Sequence, residues 1–141
     1  MTDAPSPAPS TAWSSGRAIA AGLLTTIITS TAMDAVMHGT GIFPAPGEAM
    51  NDGLWAWAAL YRLVFAALGC YIAARLAPQN PTKHAWIVGG IGLVLGGVGV
   101  AMIMGKGPGF GPAWYAIVVA LSAIPAAWLG SLVRERQIKT G

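Results

Sequence analysis

The sequence predicts an all-α integral membrane protein: a four-transmembrane-helix bundle with both termini cytoplasmic. Three observations lead there. The chain has 141 residues, of which 55% are hydrophobic and only 9% charged, whereas soluble domains carry roughly a quarter charged residues. So little charge cannot cover a water-facing surface, and the excess apolar surface must face lipid. Its apolar residues also fall into four runs, each long enough at about 1.5 Å per helical residue to cross a hydrocarbon layer of about 30 Å. Finally, the basic residues gather on one side of those runs.

The first 16 residues are rich in Pro, Ser and Ala and carry one charge, Asp3. Such a segment buries too little apolar surface to offset the entropy of ordering, and residues 1–16 are read as a disordered tail. Residues 17–134 form the membrane domain. Arg17 abuts the first run, 18–37. The second covers 54–76, the third 85–104 and the fourth 112–133, with Pro112 suited to a first helical turn, where its missing N–H costs nothing. Residues 135–141 are read as a short cytoplasmic tail. An alternative for the first run is a signal peptide cleaved after Ala32. The apolar character continues through Met33, Val36 and Met37, which favours a retained span.

Orientation follows from the bases. Arg17, Arg75, Lys83, Arg134, Arg136 and Lys139 fall on one side, while Lys106 stands alone on the other with Glu48 and Asp52. The positive-inside rule then places both ends in the cytoplasm. Tryptophans sit at both predicted interfaces, Trp13, Trp86 and Trp128 inside and Trp55, Trp57 and Trp114 outside, where a half-wet zone suits the indole ring. The net charge of +3 is spread in ones and twos around apolar runs, so no phosphate-binding face forms and no nucleic-acid partner is expected. The single cysteine, Cys70, cannot form an internal disulfide.

Two charges lie within spans, Asp34 and Arg62. Each would cost about 2.5–3.5 kcal/mol alone at the bilayer centre. Arg62 sits deeper than Asp34, but a long arginine stem climbs several ångströms, so the two are expected to pair across spans one and two. Asp34 also belongs to a series spaced by four, Gly22, Thr26, Ser30, Asp34 and His38. A carboxylate beside an imidazole is a candidate proton or metal site, with Glu48 and Asp52 in the adjoining loop. Against the second use, Asp52 suits an N-cap for span two. Met33, Met37, Met50, Met102 and Met104 gather towards the same side and, with His38, make a soft donor set of the kind that holds Cu(I). Packing is the commoner use of methionine, so neither a metal nor a cofactor is expected.

Lipid supplies no hydrophobic force between helices, so close packing needs small residues. Gly89, Gly92, Gly96 and Gly99 lie on one face of span three and are expected to pack against span one or four, or against a second copy in a homodimer. Pro125 removes a hydrogen bond to the carbonyl of Leu121 and predicts a kink in span four, with Ser122 placed to satisfy the freed group. The loop 105–111 lacks the Lys-Ser/Thr pair of a phosphate loop and reads as a turn. The two histidines, His38 and His84, fall at opposite interfaces, which excludes an intramolecular bis-histidine haem and suggests no Ser-His-Asp set.

At Tyr61-Arg62-Leu63-Val64-Phe65 and from Gly69 to Pro78, the chain resembles a group of small uncharacterised bacterial inner-membrane proteins with four predicted helices. The likeness continues through Lys83-His84-Ala85, the glycine-rich third span, Gly111-Pro112-Ala113-Trp114-Tyr115 and the stretch from Pro125 to Gly130. Such proteins often carry Pro after the Trp-Tyr pair, where Ala116 stands here. The resemblance implies a bacterial inner-membrane setting and the same fold, and brings no activity with it. The leading expectation is therefore a non-enzymatic accessory subunit of a membrane complex, or a homo-oligomer, surrounded by membrane lipids. The alternative is a small transporter or channel using Asp34, Arg62 and His38.

Overall fold

The computed structural model describes residues 10–107 and 110–141. Its elements are helices: α1 (Thr11–Gly39), α2 (Asp52–Leu76), α3 (Pro81–Ile103), α4 (Ala113–Leu121) and α5 (Ala123–Thr140). The last two together make one stretch, Ala113–Thr140, and all four stretches are long and apolar enough to cross a membrane.

Helix boundaries depart from the apolar runs because caps, not hydropathy, end a helix. α1 begins at Thr11, where the Ser10 side chain accepts a hydrogen bond from the Trp13 amide at 3.3 Å. Residues 11–16, expected in a disordered tail, are thus helical, and residues 1–9 lie outside the described residues. α2 is capped by Asn51, whose Oδ1 accepts from the Leu54 amide at 3.0 Å. Asp52, expected as that cap, instead sits in the first turn, where a carboxylate favours the helix dipole. α3 starts a turn earlier than its apolar run because Asn80 takes a left-handed conformation and Pro81 opens the helix. At the other extreme, α5 carries residues 135–140 as helix where a tail was expected.

The break in span four falls at Ser122, three residues before Pro125. This is where the proline's missing N–H is felt, since its partner would have been the Leu121 carbonyl. The Ser122 hydroxyl does not take over that carbonyl; it donates to Val119 at 2.7 Å.

Successive spans run antiparallel, and α2 lies centrally, touching every other helix. α1 rests mainly on α2, with a smaller contact to α3. Near the termini the helices meet through very small residues. Cys70, Ala73, Ala74, Ala85, Val88, Ala126 and Ala127 form one buried cluster. Gly22 and Gly69 let α1 and α2 cross almost backbone to backbone. Gly130 does the same for α5 against α2: a Cβ added there would stand 2.7 Å from the Tyr71 amide nitrogen and 2.9 Å from the Ala67 carbonyl. The glycine face of α3 meets span four, Gly89 facing Ala127 and Ala123, Gly92 facing Ala123, and Gly96 facing Ala120. Gly99 faces open space. Three of the four glycines thus face span four of the same chain. Large apolar side chains such as Ile28, Val64, Val94 and Leu121 project outward, as a lipid-facing surface requires.

Candidate functional site

At the end of the spans opposite the termini, the small-residue seam gives way to large side chains and an open cavity of about 260 Å³. Its floor is the intramembrane pair. Arg62, through Nη2, donates to one carboxylate oxygen of Asp34, and the Tyr61 hydroxyl donates to the other. Asp34 thus has a cation and a phenol as partners, which offsets the loss of water around its charge. Both charged side chains remain about a third exposed, at 32% for Arg62 and 30% for Asp34. The structure brings together the two charges that the sequence placed in spans.

The roof comes from the chain between α1 and α2. After the left-handed Gly41, Phe43 folds back under α1, its amide bonded to the Met37 carbonyl at 2.9 Å. The Phe43 ring is buried, 5% exposed, in a cluster with Met37, Ala58 and Tyr61. It meets the His38 ring edge-on at 5.5 Å. His38 Nδ1 lies 2.8 Å from the Pro44 carbonyl oxygen. A carbonyl only accepts, so Nδ1 carries the proton, and in the neutral ring Nε2 holds the free lone pair.

The far wall belongs to α2 and α4. Trp55 and Tyr115 pack with centroids 4.6 Å apart, and the Trp55 ring covers Gly111, which takes a left-handed φ of +88°. Both indoles at this wall are anchored: Trp55 donates to the Met50 carbonyl at 3.1 Å and Trp114 to Asp52 at 3.2 Å. Asp52 therefore ties α2 to α4 rather than facing a metal. Glu48 lines the same cavity from the loop and is exposed.

Asp34 and His38, one turn apart on α1, both line this cavity. Among the described residues no group of three or more His, Cys, Asp or Glu side chains is close enough to hold a metal ion. The five methionines do not assemble either. Met33, Met37 and Met50 pack into the aromatic cluster, while Met102 and Met104 project outward at 61% and 68% exposure. His84 is buried at the opposite end, its Nδ1 3.1 Å from the Asn80 carbonyl oxygen. The loop 105–111 includes residues 108 and 109, which lie outside the described residues.

Sequence reasoning missed Phe43, Trp55, Tyr61 and Tyr115 as members of the site. One signal was present: Tyr61 stands next to Arg62 inside an apolar run, and a buried phenol needs a hydrogen-bond partner.

Compared with protein-family models, curated proteins and solved structures, the chain matches none. The chemistry of the site is therefore read from its own residues. It offers one neutralised ion pair, an imidazole lone pair, a loop carboxylate and several aromatic faces, in a space suited to a small polar guest.

Proposed function

We infer that this protein is a non-enzymatic, multi-pass inner-membrane protein that binds a small ion or polar solute in the cavity opposite its termini and admits it into the membrane domain. In this reading both termini are cytoplasmic, as the distribution of Lys and Arg supports, so the cavity opens to the outside of a bacterial cell. The observation that carries it is the cavity of about 260 Å³ built directly on the Asp34–Arg62 pair. An ionisable residue within a span is costly and marks a candidate ion or solute site, here one that opens onto a cavity. Aromatic rings around the pair favour cationic guests.

The test is flux in proteoliposomes, with a pH-sensitive dye for protons and isotopic sodium and chloride for the other ions. Wild-type protein is expected to pass one of them, and the double variant Asp34→Asn with Arg62→Met to stay folded and pass none. Equal flux from wild type and double variant overturns the reading.

A second reading, an accessory subunit or homo-oligomer, is supported by the outer face of α3. Gly90 and Gly97 there have nothing within 4 Å of an added Cβ, and Val94 between them is 66% exposed. Purification in mild detergent that yields a stable companion, or a cross-linked dimer through Val94→Cys, would favour it.

A further inference from the structure

Beneath the ion pair, a second, equally open cavity of about 140 Å³ lies where all four spans converge. Thr26 and Ser30 of α1, Arg62 of α2, Gly92 of α3 and Ser122 at the α4–α5 break all line it. Arg62 also lines the cavity above, so its side chain stands between the two spaces. The gap exists because α1 rests on α2 and does not close onto span four.

One polar group lining this space has no protein partner. Ser30 is only 6% exposed. The hydroxyls of Thr25, Thr26, Thr29 and Thr40 each donate to the carbonyl one turn back in α1, whereas that of Ser30 forms no hydrogen bond among the described residues. Buried polar groups are almost always satisfied, by protein or by ordered water. A space of about 140 Å³ has room for several waters at about 30 Å³ each. Water both donates and accepts, so from this space it can serve the Ser30 hydroxyl.

A third space, of about 120 Å³, continues past Thr26 towards Cys70. Leu23, Val88, Leu95 and Ala126 line it, and apart from Thr26 and the Cys70 thiol it offers only carbon. Cavities of that character stay dry.

The geometry points to a water-filled inlet that runs from the far-end cavity, past Arg62 as its constriction, to Ser30 and Ser122 at the centre of the membrane domain, and stops at a dry floor at Cys70. Its ligand is water and, through water, the proton. The inlet goes beyond the proposed uptake of a solute and stands whether or not any solute crosses.

The experiment uses the infrared S–H stretch, which moves when a thiol proton is exchanged for deuterium. Wild-type protein in proteoliposomes has one thiol, Cys70. On transfer to D2O its S–H band is expected to persist. Ser30→Cys, a near-isosteric change, is expected to add a second S–H band that exchanges at least ten times faster, while the Cys70 band persists and shows the fold is intact. Ser122→Cys, from another span lining the same cavity, is the second variant and is expected to behave alike. The inlet is overturned if the thiols at positions 30 and 122 both exchange as slowly as Cys70. The dry floor is overturned if Cys70 in the wild type exchanges as fast as they do. No flux is read, so this test and the proteoliposome assay fail independently.

Discussion

The two halves of the membrane domain are packed on opposite principles. Towards the termini, Gly22 against Gly69 and Gly130 against Ala67 and Cys70 bring helix backbones into near contact, and the buried cluster is alanine, cysteine and valine. Towards the far end, Phe43, Trp55, Tyr61 and Tyr115 hold the helices apart, and a cavity remains between the side chains. Small residues gain dispersion contact over whole helix surfaces, and the space left beside Cys70 is lined almost wholly by carbon. Large rings cannot tile irregular space completely, and the gaps they leave are where polar chemistry collects. Close backbone contact at one end and a polar cavity at the other thus follow from side-chain size.

Substitutions that convert one half towards the other test this contrast, and the largest effect is expected in the tight half. Gly130→Val puts a side chain into the backbone of α2, which nothing nearby can vacate, and is expected to destabilise by more than about 3 kcal/mol, the upper end for overpacking. Thermal unfolding in mild detergent reads this, and a variant as stable as wild type would show that the two halves are not packed differently.

In the open half the dominant interaction is ionic. Asp34→Ala strands the Arg62 charge and is expected to cost about 2 kcal/mol, below the 3–5 kcal/mol of fully buried pairs because both partners are partly exposed. Adding Arg62→Met is expected to recover at least half of that loss. A double-mutant cycle with no coupling would mean the pair does not hold α1 to α2. Tyr61→Phe keeps the ring and removes the donor to Asp34, so its expected cost is smaller, about 1.5 kcal/mol, as for one hydrogen bond to a charged group. If Tyr61→Phe has no effect in the presence of Asp34 but Asp34→Ala does, the phenol is not a partner of the carboxylate.

The smallest expected change sharpens the seam. Gly99→Ala meets nothing within 4 Å and should leave stability within about 0.5 kcal/mol of wild type. At Gly96→Ala the new methyl would stand 2.8 Å from Ala120 Cα, and a loss of about 1 kcal/mol is expected. Equal behaviour of the two would remove Gly96 from the contact with span four.

Much of this was legible in the residues. Four apolar runs and the two intramembrane charges determine the number of spans and the pairing of Asp34 with Arg62, because lipid penalises an unpaired charge at any position in a span. The 3–4 spacing of glycines determines that α3 has a contact face. What covers that face was not legible: periodicity is a property of one helix, and Gly89, Gly92 and Gly96 find span four only once the helices are stacked. The helix ends at Thr11 and Thr140 escaped for a similar reason, since hydropathy marks where lipid lies and caps mark where a helix stops. The cavities belong wholly to tertiary structure. They arise from Phe43 folding back under α1, from Trp55 meeting Tyr115, and from the gap between α1 and span four, and each joins residues distant in the chain. Space left unfilled is a property of how several helices meet, and no single segment encodes it.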